Sequence, residues 1–144
     1  MQPESIAARP ALSAAKALLA SAGLPTEDLT ERHCDHFFYL GTADAPSGLV
    51  GLEIVGDVAL LRSLAVAAGN QRRGAGTALV SHAERAAREA GVRAIYLLTT
   101  TAEDFFAKRG YQRAVRGAAP PAIRETREFA GICPSSSAFM ARTL

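Results

Sequence analysis

Gln71-Arg72-Arg73-Gly74-Ala75-Gly76-Thr77 joins the apolar run Leu64-Ala65-Val66 to a leucine and alanine stripe that begins at Leu79. Guanidinium groups beside glycines at the head of a helix suit one task, which is holding an anion. Exposed backbone N–H groups and the positive helix end add to the arginine charge. A nucleotide P-loop is one reading of the spacing Gly69 to Gly74, but Ala75-Gly76 stands where its Lys and Ser/Thr belong. The dinucleotide fingerprint fails as well, because its third glycine falls on Leu79. What remains is an anion site, with a plain tight turn and two solvated arginines as the bland alternative.

The elements that must position this turn can be read from periodicity. Leu12, Ala15, Leu18, Leu19 and Ala22 predict a first helix over 11–22, closed by Gly23. Thr26 before Glu27 and Asp28 predicts the start of a short second helix. His36 to Leu40, Gly48 to Val55 and Val58 to Val66 predict an antiparallel meander, with turns over Asp44 to Gly48 and Val55 to Asp57. From Thr77 a helical stripe runs to Gly91, with Glu84 and Arg88 as a surface i,i+4 pair. A buried strand follows over 92–98, then a helix over 102–109 capped by Thr101 and a strand over 111–115. An amphipathic segment from Pro120 to Phe129 and a terminal strand over 136–142 complete the chain. The order predicts a mixed α/β (α+β) sheet of about six to seven strands flanked by helices, with a parallel pair near its middle.

Composition limits the partners. The 144 residues are 49% hydrophobic and 21% charged, the balance of one globular domain over 1–144 that needs no disulfide or metal to fold. A net charge of +2 with dispersed arginines argues against a nucleic-acid surface. No run approaches the roughly 20 apolar residues of a membrane span, and the N-terminus lacks a signal-peptide pattern. Cys34 and Cys133 are far apart, so the expectation is a reduced, cytoplasmic protein. An open sheet also leaves an edge through which two copies could pair as a homodimer.

Gln71 to Gly76, following Leu64-Ala65-Val66, resembles the Q/R-x-x-G-x-G/A pyrophosphate loop of the GNAT N-acetyltransferase superfamily, and the element order matches that fold. The resemblance implies an acetyl-CoA donor and a small-molecule amine acceptor. It places the pyrophosphate on residues 71–77 and the pantetheine arm along Leu64, Ala65 and Val66. The stretches LLRSLAV, LLTTTAEDFFAKRGY and PPAIRETREFAGICPSSSAFM are together similar to the small N-acetyltransferases associated with arsenic-resistance gene clusters. That likeness implies an amino-acid or arsenic-containing amino-acid acceptor. The last stretch also resembles the acetyltransferase domains that make N-acetylglutamate.

Acetyl transfer from a thioester needs a neutral amine, an acceptor for its proton, donors for the carbonyl oxygen and a proton for the thiolate. Glu53, mid-strand, is the candidate base or amine-binding group. Arg62, alternating onto the face of Leu60, Leu64 and Val66, needs a partner: either Glu53 on the next strand or an acceptor's carboxylate. Ser63 points the other way. The superfamily's thiolate-protonating tyrosine falls on Phe106, which leaves a pantetheine wall and no acid there. Water or a hydroxyl of Thr99, Thr100 or Thr101 must then serve, and a silent acyl-CoA-binding domain becomes a further reading. His33-Cys34-Asp35-His36 carries metal-ligand types, but contiguous strand-like residues alternate faces, so no metal is expected. His82 is expected in solvent, and Cys133 as a small buried apolar residue.

Overall fold

A computed structural model describes residues 6–67, 74–132 and 137–144. Its elements are β1 (Ala7–Ala8), α1 (Leu12–Ser21), α2 (Glu31–Cys34), β2 (Phe37–Thr42), β3 (Ala45–Val55), β4 (Val58–Val66), α3 (Ala75–Glu89), β5 (Ala94–Thr99), α4 (Glu103–Ala107), β6 (Gln112–Arg113), α5 (Pro121–Arg124) and β7 (Ala138–Thr143). The strands form one sheet in the order β1-β2-β3-β4-β5-β7-β6. Only β4 and β5 pair in parallel among the described residues; the other neighbours are antiparallel. The mixed sheet with a central parallel pair is therefore the expected one.

Helices cover both faces because the strands alternate their apolar residues. Phe38, Val50, Leu52, Ala59 and Leu61 bury against Leu79, Val80, Ala83 and Ala87 of α3. On the opposite face Phe37, Leu49 and Ala65 meet Ala15 and Leu19 of α1, and Leu60 meets Ile123 of α5. Gly51 permits the first of those packings: a Cβ there would stand 2.2 Å from Phe37 Cε1.

Several boundaries move for physical reasons. No helix starts at Thr26; a turn closes from Leu29 N–H to Thr26 C=O, and α2 begins at Glu31. Thr30 and His33 cap it reciprocally, which the sequence pattern did not suggest because the N3 residue is a histidine rather than a glutamate. The hairpin turn before β3 shrinks to Ala43-Asp44. α3 starts at Ala75, one turn-residue after Gly74, whose φ of 73° makes it the left-handed cap. Thr99, not Thr101, receives the Ala102 N–H at the head of α4. The strand expected over 111–115 keeps only two paired residues, and the 120–129 segment breaks into α5 and a wide turn at Glu128–Ile132. β1 carries no sequence signal, being two exposed alanines paired with β2.

Candidate active site

The parallel pair is a fork. β4 and β5 are in register only at Val58, Leu60 and the residue between them, opposite 94–96; beyond Leu60, β4 runs on to Val66 without a β5 partner among the described residues. The cause lies in β4 itself. Its pairing with β3 slips between Leu49 and Gly51, so that Ser63 and Leu64 together oppose Val50, and Ser63 takes a φ of 60°. One extra residue bends and twists a strand. It also changes which face each later residue meets: Ala59 and Leu61 join the α3 core, yet so do Leu64 and Val66. Strict alternation, which would have kept Arg62 with Leu64 and Val66, is thus corrected at Ser63. The same backbone turn brings the Ser63 hydroxyl back to Arg62 Nε at 3.1 Å, rather than away from it.

Two cavities follow the fork. The first, of about 420 Å³, lies between Arg62, Ser63 and Leu64 on one side and the segment Leu97 to Ala102 on the other, with Phe106 as an inner wall and Glu27 on the turn above. The second, of about 370 Å³, continues from Leu64, Thr101 and Ala102 along Ala65 and Val66 to Gly74, Gly76 and Thr77. It ends at the N-terminus of α3. Among the described residues a Cβ at Gly74 would meet nothing within 4 Å, and one at Gly76 would lie in ordinary contact with the Phe105 ring at 3.4 Å. Arg109 seals the far wall: its guanidinium lies 4.0 Å over Phe105, donates to the Phe105 carbonyl at 3.0 Å and reaches the Thr77 hydroxyl. A helix N-terminus lining a groove suits an elongated ligand with an anionic group at one end.

Behind the bulge lies a charged cluster. Arg62, fully buried, donates from its two terminal nitrogens to Asp28 at 2.6 and 2.9 Å and to Glu53 at 2.9 Å. Burial works to raise the Asp28 pKa, but the hydrogen bonds and charge of Arg62 outweigh it and hold the carboxyl below its usual range. His33 Nε2 stands 3.6 Å from Glu53 and 4.0 Å from Asp28. Its Nδ1 accepts the Thr30 N–H at 3.1 Å, so the neutral ring carries its proton on Nε2, facing the carboxylates. Asp28, His33 and Glu53 have ligand atoms within 4.8 Å of one another, and the guanidinium bonds both Asp28 oxygens and Glu53 Oε2, leaving Glu53 Oε1 facing His33. The contiguous residues 33–36 do not converge: Cys34 is buried in α2 and Asp35 pairs with Arg9 at 3.7 Å.

The structure brings together Arg62, Ser63, Thr99 and Phe106 around the first cavity and Leu64, Ala65, Val66, Gly74, Gly76 and Thr77 around the second. Ala75 turns into the core. Glu53 sits behind Arg62 and is absent from the described cavity lining. Gln71, Arg72, Arg73 and Cys133 lie outside the described residues. The sequence reads Glu27 and Asp28 as helix-start acids after a threonine and weighs His33 only as a metal-ligand type, so none of the three is placed at the site from sequence. Nor are Phe105 and Arg109, whose i,i+4 spacing was the available signal. Tyr111 is no substitute for the missing tyrosine: burial pushes its hydroxyl well above the usual range, and it donates to Glu84 at 2.9 Å. Glu84 is itself buried with Arg142 at 2.9 Å, in place of the surface pair with Arg88. His82 packs edge-on against Phe38 at 4.8 Å instead of standing free in solvent.

A forked parallel pair opening onto a glycine-capped helix is the frame of an acyltransferase domain. The chain belongs to the acetyltransferase (GNAT) family, which its residues 10–114 match. No curated protein matches it in sequence. Among solved structures it is similar to N-acetylglutamate synthase from Neisseria gonorrhoeae complexed with coenzyme A and N-acetyl-glutamate, with a TM-score of 0.83 and 24% identity over 100% of this chain and 36% of that one. The same enzyme complexed with coenzyme A and L-arginine aligns with a TM-score of 0.80 at 25% identity, over 97% of this chain and 33% of that one. The chain therefore spans about a third of that protein's length. A GNAT-family acetyltransferase from Staphylococcus aureus Mu50 aligns with a TM-score of 0.75 at 16% identity, over 99% of both chains.

Proposed function

We propose that the protein is an acetyl-CoA-dependent N-acetyltransferase whose acceptor is the amine of a small amino-acid-like molecule. The observation that carries this is that Leu64, Thr101 and Ala102 line both cavities, so that the pocket at the fork adjoins the one that reaches the N-terminus of α3. Bound acetyl-CoA supplies the acetyl group as a thioester. The N–H groups at Gly74, Ala75 and Gly76, with Arg72 and Arg73, hold the pyrophosphate. The stretch of β4 along Leu64, Ala65 and Val66, beyond its register with β5, holds the pantetheine arm, and Phe105 and Phe106 exclude water from it. The acceptor enters the first cavity beside Arg62, Ser63 and Thr99, with Glu53 taking the amine proton through intervening groups and a threonine hydroxyl or water protonating the thiolate.

Two acceptor classes deserve assay together: glutamate, because of the likeness to N-acetylglutamate synthase, and arsenic-containing amino-acid analogues, because of the resemblance in the three sequence stretches. Titration calorimetry with acetyl-CoA and with S-acetylpantetheine tests the cofactor assignment. Binding that needs the pyrophosphate, followed by turnover with an amino acid, is expected. Absent binding would sink the assignment, and binding without turnover across amines would favour the silent acyl-CoA-binding domain.

A further inference from the structure

Ser63 occupies a backbone conformation that favours glycine, yet a serine stands there, buried, with its hydroxyl against Arg62 Nε at 3.1 Å. The rest of that guanidinium is held by Asp28 and Glu53. A planar group gripped on several sides transmits position well, because few rotations remain to it. The bulge has an ambiguity that such a grip would remove. An extra residue in one strand can sit at neighbouring positions, and each one-residue shift exchanges the faces of the residues it passes. Moving the extra residue ahead of Arg62 would turn the guanidinium toward the apolar core beneath α3 and leave Asp28 without its partner. A buried unpaired charge makes that register costly.

We propose that Asp28 and Arg62 are positioning residues that pin the β4 bulge through the Ser63 hydroxyl, and so set the width of the fork and the direction of the backbone groups around Ser63 and Leu64. The consequence for catalysis rests on reading the fork as the acetyl-transfer site. The pin itself is a property of the chain without ligand.

Ser63→Gly separates the pin from simple stability, since glycine accepts the positive φ and the variant should melt no lower than wild type. Hydrogen exchange on the full chain should show the Leu64 and Ala65 amides opening about tenfold faster, relative to residues 58–60, in both Ser63→Gly and Asp28→Asn. Acetyl-CoA affinity by calorimetry should weaken by only about twofold to threefold in Ser63→Gly, because the pantetheine edge follows the same bulge, while kcat falls about tenfold. Wild-type protection at Leu64 and Ala65, an even acceleration along all of β4, or an unchanged kcat in Ser63→Gly would each overturn the proposal. Failure of the wild-type protein to bind acetyl-CoA would instead sink the functional reading and leave the exchange test standing.

Discussion

Arg62 and Asp28, 34 positions apart in sequence, meet through two hydrogen bonds of 2.6 and 2.9 Å with both side chains almost wholly withdrawn from water. The pair ties the turn between α1 and α2 to the strand that lines both cavities. It also joins the first cavity, which Arg62 lines, to Glu53 and His33.

Removing one partner should therefore be severe. Asp28→Ala leaves a buried guanidinium short of its main counter-charge, and chemical denaturation should show a loss of about 3 to 5 kcal/mol. The pH dependence has a definite sign. Because the folded pKa of Asp28 is lowered, its contribution is complete above the ordinary carboxylate range and is lost as pH falls through the folded value. Asp28→Asn should accordingly lose less stability on acidification than wild type; equal acid sensitivity would count against the pairing.

Gly51 should tolerate no side chain. Placing a Cβ 2.2 Å from Phe37 Cε1 forces the ring or β3 to shift, so Gly51→Ala should cost about 1 to 3 kcal/mol in unfolding experiments.

The proposed pyrophosphate role of Arg72 and Arg73 makes an electrostatic prediction. Arg72→Ala combined with Arg73→Ala should raise the acetyl-CoA Kd by about tenfold or more, with a weaker salt dependence than wild type. The melting temperature should hold. Affinity unchanged by the double substitution would remove the pyrophosphate from this loop.

Proton transfer can be tested at two carboxylates. Glu53→Gln should lower kcat by about a hundredfold and remove the acid limb of its pH profile if Glu53 takes the amine proton. Glu27→Gln probes the carboxylate that lines the first cavity directly. A loss confined to Glu27→Gln, with Glu53→Gln at wild-type rate, would move the base to the turn before α2.

Tyr111→Phe serves as the control for the missing tyrosine. The hydroxyl is committed to Glu84, and Arg142 remains on that carboxylate, so stability should fall by about 1 kcal/mol. Turnover should not change. A large drop in kcat would make Tyr111 the acid after all.

Much of the fold was legible because periodicity reports burial locally. The 3.6-residue stripe of α3 and the alternation in β3 depend on residues a few positions apart, so they could be read directly, and Leu79, Val80 and Ala83 are buried as their spacing requires. Gly74 was equally visible, since a left-handed cap asks for a residue without a Cβ. Hidden from it were events that depend on distant partners. Asp28 looked like a helix-start acid until Arg62 was folded against it. Glu84 looked like a surface residue until Tyr111 and Arg142 enclosed it.

By itself, then, the sequence determined most of the element types and the mixed sheet, which follow from local conformational preference and short-range spacing. Only the tertiary structure decided where the charges go and which way β4 faces after Ser63. A single inserted residue reverses every later side chain in a strand, and nothing local marks its place. The contact that marks it, Ser63 through Arg62 to Asp28, exists only after the two ends of the pair have been brought together from 34 residues apart.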